Sequence, residues 1–157
     1  MERLPPPPVI NCARVLAYAH VDDIVYRPWG ALLVGGIPVE HVPQLAICAN
    51  LGEDNGPLIF HCDRNWNVLG TAAGATVVEV KDRAEKNYPG VSSRWIDTGV
   101  TVEQALTYYD ELMGGEKCSF CGRRAFEVEG WIEAPDAIVC NGCVQKHRGD
   151  LHAAPGK

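Results

Sequence analysis

Four cysteines near the C-terminus form two pairs, and two residues separate the members of each pair. They are Cys118, Cys121, Cys140 and Cys143, with eighteen residues between the pairs. Each Cys-x-x-Cys places two thiolates on one tight turn, and Zn²⁺ accepts four sulfurs tetrahedrally at about 2.3 Å. Two pairs at this separation are a strong indication of zinc. Because four thiolates leave no open position for water, the sequence predicts one structural zinc ion.

Two other kinds of site can be built from four cysteines. A redox-active dithiol normally begins a helix in a thioredoxin-like βαβ unit, and the sequence around these cysteines shows no such unit. An iron–sulfur cluster is compatible with four cysteines, but it is not favoured by spacing in two pairs. Zinc is therefore the preferred interpretation.

The segment around the cysteines carries further recognisable features. It opens with Cys-Ser-Phe-Cys-Gly, contains Glu127-Val128 and Ile-Glu-Ala-Pro at 132–135, and closes with Ile-x-Cys-x-x-Cys-Val at 138–144. With these features, residues 117–144 resemble the zinc-binding domain at the N-terminus of the bacterial ClpX unfoldase. The resemblance implies a treble-clef-like fold, with the four cysteines as ligands, that dimerises and binds adaptors and protein substrates.

The resemblance also implies an apolar surface for packing or dimerisation. The candidate residues on that surface are Phe120, Trp131, Ile132, Ile138, Val139 and Val144. Gly130 and Trp131 stand where the family usually has charged or aliphatic residues, so the partner-binding surface is expected to differ. The chain has no G-x-x-x-x-G-K-[ST] motif, which excludes the ATP site of an unfoldase.

Charge and hydropathy narrow the class of protein. Residues 1–115 carry 8 Lys/Arg and 14 Asp/Glu, whereas residues 116–157 carry 6 of each. Neither part has the basic surface on which binding to nucleic-acid phosphates depends. No apolar stretch approaches the ~20 residues of a membrane-spanning helix, and the N-terminus lacks the apolar core of a secretory signal. We therefore expect a cytoplasmic protein.

The first two-thirds of the chain predict an α+β domain, in which helices pack on one face of an antiparallel sheet. Residues 1–10, with Pro5–Pro8, predict an extended tail. Residues 11–20 predict a short helix, and prolines prevent a firm assignment for residues 21–43. Strands are predicted at 44–50, 58–63 and 68–72, with the Asn-Gly turn signal at 55–56 between the first two.

Two helices with recognisable starts follow this predicted meander. Thr76 and Glu79 form a capping-box pattern before the first helix, and Thr101 and Gln104 repeat it before the second. A strand is predicted between them, at 93–97. The domain is predicted to cover 11–113, with a linker at 114–116 and the zinc module at 116–157.

His61, Cys62 and Asp63 are the candidates for catalysis outside the zinc module. On a strand, His61 and Asp63 share one face and Cys62 points to the other, into the core. A nucleophile, its base and an orienting group are not found together, so no catalytic residue is predicted.

Together these patterns predict a zinc-binding adaptor or regulatory protein that is not an enzyme. The predicted partners are proteins, namely a second copy of the chain and a Clp-type machine or its substrates. Two alternatives remain. One is a small enzyme centred on the N-terminal domain. The other is a DNA-binding zinc protein whose basic residues are Arg123, Arg124, Lys146, His147 and Arg148.

Overall fold

The computed structural model describes residues 2–29, 33–34, 36–38, 40–112, 114 and 116–152. Parts of 21–43 and of the predicted linker, including Gly115, lie outside the described residues. The chain divides into two compact units, Met1–Tyr108 and Tyr109–Lys157. Among the described residues, no helix combines the length and hydropathy needed to cross a membrane.

The described residues of the first unit form eight strands that pair antiparallel, one complete helix and the first part of a second helix. The strands are β1 (Val9–Ile10), β2 (Ala13–His20), β3 (Leu33–Val34), β4 (Ile37–Pro38), β5 (Gln44–Asn50), β6 (Leu58–Cys62), β7 (Val68–Ala73) and β8 (Ile96–Asp97). The helices are α1 (Val77–Asn87) and α2 (Val102–Leu112), and the boundary between the units falls within α2. The main sheet has the order β1-β2-β5-β6-β7, and β8 also pairs with β2.

The meander and both helix starts agree with the sequence predictions. Strands β5, β6 and β7 pair antiparallel in chain order. At α1, the Glu79 backbone N–H donates to Thr76 Oγ1 at 3.1 Å, and Glu79 Oε2 accepts from the Ala75 N–H at 2.7 Å. At α2, Thr101 and Gln104 make both bonds of the capping box, at 2.9 and 3.1 Å. The α+β class is confirmed.

The predicted helix at 11–20 is wrong, because Ala13–His20 forms strand β2 and Asn11 and Cys12 form the turn before it. The side chains of β2 alternate between buried and half-buried, which is the period of a strand. It pairs with β5 along its length, from Ala13 opposite Asn50 to His20 opposite Gln44. Asn11 and Cys12 have φ values of 46° and 60°, as a two-residue hairpin turn between β1 and β2 requires. Pairing distant in sequence has overridden a weak helix preference.

The predicted strand at 93–97 is shorter than expected. Only Ile96–Asp97 is a strand, and Val91–Ser93 forms a single 3₁₀ turn. The Glu85 carboxylate holds this turn, since it accepts the backbone N–H of Gly90 at 2.7 Å and of Ser92 at 2.9 Å. Within the predicted segment, the Ser93 hydroxyl donates to the Gly90 carbonyl at 3.1 Å and the Arg94 N–H donates to the Val91 carbonyl at 2.8 Å. These local bonds make the start of the segment a turn rather than a strand.

The sheet has a hydrophobic cluster on each face. On one face, α1 packs its buried residues against strands β5 and β6, with Val80, Ala84 and Tyr88 beside Leu45, Ile47 and Ile59. The cluster on the other face consists of Ile10, Ala13, Val15, Ala46, Cys48, Phe60, Cys62 and Trp66. Burial of apolar surface on both faces gives the first unit a core of its own.

Gly56 lies in the loop between β5 and β6, where the backbone packs closely against Gly74. Substitution of Gly56 tests this close packing. Its φ is +80°, and a Cβ there would lie 2.6 Å from the Gly74 carbonyl oxygen. We expect Gly56→Ala to lower the free energy of unfolding by about 3 kcal/mol, because a left-handed backbone and overpacking each cost about 1–2 kcal/mol. Urea denaturation measures the change.

Gly90→Ala is the matched control for this substitution. Its φ is +96°, but a Cβ there would meet no described atom within 4 Å. We therefore expect Gly90→Ala to lower the free energy of unfolding by the cost of the left-handed backbone alone, about 1 kcal/mol. Equal losses for the two variants would contradict the close approach at Gly56.

Candidate metal centre

The four cysteine sulfurs converge on one point in the second unit. Every pair of these Sγ atoms lies within 4.8 Å, and the Sγ atoms of Cys121 and Cys140 are 3.7 Å apart. A tetrahedron with metal–sulfur bonds of 2.3 Å has edges of about 3.8 Å. Three of the cysteines are buried and Cys121 is exposed. The sulfurs are thus spaced as a four-coordinate zinc ion requires.

The first pair of cysteines lies on a tight turn. The Gly122 N–H donates to the Cys118 carbonyl at 2.8 Å, and Gly122 has a φ of +73° that a side chain would disfavour. The Cys118 N–H donates to the Arg123 carbonyl at 2.8 Å. These bonds fold the chain back directly after Cys121, which leaves both sulfurs on the same side.

The second pair lies where a β-hairpin meets a helix. Strands β9 (Trp131–Ala134) and β10 (Ala137–Cys140) form the hairpin, and α3 (Asn141–Lys146) follows directly. Cys140 is the N-cap of α3, and its Sγ accepts the Cys143 backbone N–H at 3.4 Å. A turn, a hairpin and a short helix around four cysteines make the treble-clef-like arrangement that the sequence predicted.

Two hydrogen bonds join the first cysteine turn to the hairpin. The Ser119 N–H donates to the Ile138 carbonyl at 2.7 Å, and the Ile138 N–H donates to Ser119 Oγ at 3.0 Å. The segments that carry the two cysteine pairs are therefore connected by hydrogen bonds as well as by the shared metal site.

The electrostatics of the sulfurs favour binding of a dication. Backbone N–H groups of Cys121, Cys140 and Phe120 point at the Cys118 sulfur and lower the pKa of this thiol to about 6. Burial and the neighbouring sulfurs raise the pKa of Cys143 to about 12. The Cys118 thiolate thus forms readily. Ionisation of all four thiols requires a positive charge between the sulfurs.

Comparison with known families identifies this site. Residues 116–147 match the ClpX C4-type zinc finger. The four cysteines are the ligands of one structural Zn²⁺ in this zinc finger. No curated protein and no solved structure matches the chain. The match lies within the second unit.

The six residues predicted for the interaction surface divide into two groups in the zinc finger. Phe120, Ile132 and Val144 are exposed, by 66%, 63% and 40%. Trp131, Ile138 and Val139 are half-buried, and Val139 packs against the cysteines. Val139 therefore contributes to the packing around the cysteines.

Sequence reasoning missed a charged cluster beside the zinc site. Arg124 Nε and Nη2 donate to the two oxygens of Asp110, each at 2.7 Å, and Lys117 Nζ lies 3.0 Å from Asp110 Oδ2. Arg124, one of the basic residues of the DNA-binding alternative, is thus paired within the second unit. No local pattern indicates the pair, because its members are separated by fourteen positions.

Asp110→Asn tests this ion pair. Arg124 and Lys117 lower the pKa of Asp110 to about 2, so its contribution to stability is present above the unfolded-state pKa and lost only as the pH falls through about 2. We expect the free energy of unfolding to fall by about 1–2 kcal/mol, because hydrogen bonds to charged groups contribute about 1.5–3 kcal/mol and the partial exposure of this pair weakens it. The loss should be constant between pH 6 and 8.

A double-mutant cycle with Arg124→Gln, followed by thermal unfolding, measures the coupling directly. Asp136→Asn, on the exposed turn of the hairpin, is the control. A coupling energy near zero would contradict a stabilising pair.

The catalytic candidates of the first unit lie in different surroundings. His61 is 9% exposed, its Nδ1 has no hydrogen-bond partner among the described residues, and burial lowers its pKa to about 4. The Asp63 carboxylate accepts hydrogen bonds from Asn65 and Asn67 in its own turn. Cys62 is buried as predicted, and burial raises its pKa to about 12, which makes the thiol unreactive.

Proposed function

We propose that the chain is an adaptor or regulatory protein that binds other proteins through its ClpX-type zinc finger. The main support is the exposure of Phe120, Ile132 and Val144, three large apolar side chains of the zinc finger. Large apolar side chains left in water on a rigid module are typical of protein interfaces. A second copy of the chain is the first expected partner, and a Clp-type machine or one of its substrates is the second.

Two observations support protein binding over the other classes. The zinc ion has four thiolate ligands and no open coordination position, so its role is structural. The four thiolates and the dication add a net −2 to a segment with equal numbers of acidic and basic residues. A surface of that charge does not favour DNA phosphates.

Sedimentation equilibrium of the full-length zinc-loaded chain tests self-association. We expect a dimer whose dissociation constant rises about tenfold in Phe120→Ser and in Ile132→Ser, which corresponds to about 1.4 kcal/mol for each. Val78→Ser, at an exposed position of α1, is the matched control and should leave the constant unchanged. Zinc content shows whether each variant remains folded. A chain that stays monomeric at several hundred micromolar would contradict the dimer.

Binding to a purified Clp-type unfoldase tests the second partner. Full-length chain immobilised on a sensor surface should retain the unfoldase, and Phe120→Ser and Ile132→Ser should weaken retention while Val78→Ser does not. Equal retention by all of these variants would place the interaction outside the zinc finger.

A further inference from the structure

The N-terminal proline run, predicted as an extended tail, is instead attached to the first unit at both ends. The Leu4 carbonyl accepts the Trp66 indole N–H at 3.2 Å, and the Pro8 carbonyl accepts the Val15 N–H at 3.0 Å. Pro6–Pro8 are half-buried. Four residues of polyproline helix span about 12 Å, so the run bridges two fixed points on the sheet. We call residues 3–8 the N-terminal arm.

The side chains around the Trp66 indole have the chemistry of a site for proline-rich peptides. The rings of Tyr18 and Trp66 meet edge to face at 5.7 Å, and His20 lies 5.6 Å from Tyr18. Prolines have no N–H and leave their backbone carbonyls free, so aromatic surfaces with an indole donor suit them. We call Tyr18, His20 and Trp66 the Trp66 groove.

The backbone of Trp66 is held in a conformation that bulky residues rarely adopt. Its φ is +65°. The Asp63 side chain closes the surrounding turn through the N–H groups of Asn65 and Asn67, at 2.8 and 2.9 Å, and the Asp63 carbonyl accepts the Trp66 N–H at 3.1 Å. The turn thus holds the indole under the Leu4 carbonyl at the expense of backbone strain.

The arm also makes a charged contact that is partly exposed to solvent. Arg3 Nη2 is 2.7 Å from Asp22 and 3.5 Å from Asp23, and the Arg3 side chain is 46% exposed. Two cavities, of about 210 and 500 Å³, share Arg3 and His20 in their linings. Arg3 therefore lies between two open spaces, where another basic side chain has room to replace it.

We propose that the Trp66 groove is a binding site for proline-rich segments of the form Arg-x-Pro-Pro, carried by a partner protein. The chain's own Arg3-Leu4-Pro5-Pro6 occupies the groove and competes with that partner segment. The indole N–H selects a free carbonyl before the prolines, and Asp22 with Asp23 selects the basic residue. This site lies in the first unit and does not depend on the zinc finger.

Titration of a fluorescein-labelled peptide of residues 2–10 into the full-length chain tests the proposal. A tethered arm acts at an effective concentration in the millimolar range, so the wild-type chain should bind the peptide weakly. Arg3→Ala with Pro6→Gly loosens the arm, and we expect this variant to bind at least fivefold more tightly. Arg83→Ala, which removes an exposed arginine paired with Glu79 on α1, is the control and should bind like the wild type.

Two further measurements make the test decisive. A peptide with its four prolines replaced by alanine should bind the loosened variant at least fivefold more weakly. The Trp66 indole N–H, followed by NMR hydrogen exchange, should lose protection in the loosened variant and regain it when peptide is added. Absence of saturable binding to that variant, or equal binding of the alanine peptide, or an unchanged indole signal, would each overturn the proposal.

Discussion

Cys140→Ser is expected to release the zinc ion and unfold the zinc finger while the first unit keeps its structure. Among the described residues of 116–152, the buried hydrophobic positions are Cys118, Cys140 and Cys143 themselves, with Val128 and Val139 packed beside them. So small a core cannot stabilise the module alone. Structural zinc sites contribute about 10–16 kcal/mol at neutral pH, so loss of one ligand removes most of the stabilisation.

Zinc analysis and amide NMR spectra measure this outcome together. Bound zinc should fall from one ion per chain to none, and the dispersed signals of residues 116–152 should collapse. Signals from the two clusters of the first unit should persist. A chelator added to the wild type should reproduce both changes.

Cys12→Ser is the control, because Cys12 is a half-buried thiol outside the metal site. It should retain zinc and all its signals. Retention of zinc by Cys140→Ser would contradict the ligand assignment. Loss of signals throughout the chain would instead show that the two units unfold together.

Tyr88→Ala is expected to lower the free energy of unfolding of the first unit by about 3–5 kcal/mol, the usual cost of deleting a buried aromatic ring. Tyr88 is fully buried at the end of α1, and its ring lies 5.3 Å from Tyr26 and 5.7 Å from His41. The free energy of unfolding of a domain is commonly only about 5–15 kcal/mol, so this substitution would remove a large fraction of it.

Tyr88→Phe separates the hydroxyl from the ring. The hydroxyl accepts the Val42 backbone N–H at 2.9 Å, and its removal leaves this buried donor without a partner, at a cost of about 1–3 kcal/mol. Burial raises the pKa of Tyr88 to about 12. The neutral hydroxyl is therefore favoured in the folded state, and its contribution is lost as the pH rises from the unfolded value of about 10 through about 12.

Urea denaturation at pH 7 and at pH 10 to 11 checks both variants. Val78→Ala, at an exposed position of the same helix, is the control and should change stability by less than about 0.5 kcal/mol. A loss below about 1.5 kcal/mol for Tyr88→Ala would show that the surrounding side chains refill the site.

The amino-acid sequence by itself determined the features that depend on neighbouring residues. The zinc ligands are of this kind, because each Cys-x-x-Cys closes a turn through bonds such as that from Gly122 to Cys118. The starts of α1 and α2 are also local, since Thr76 and Thr101 accept hydrogen bonds from residues three positions later. Such geometry can be predicted from spacing, because a short stretch of backbone positions both partners.

Only the tertiary structure decided the features whose partners are distant in the chain. Residues 13–20 form a strand because β5 pairs with them, and the proline run is held because Trp66 reaches Leu4 from 62 positions away. Asp110 and Arg124 are likewise joined by the fold of the second unit. Each of these residues is compatible with several local conformations, and the free energy of long-range hydrogen bonds and apolar burial selects among them.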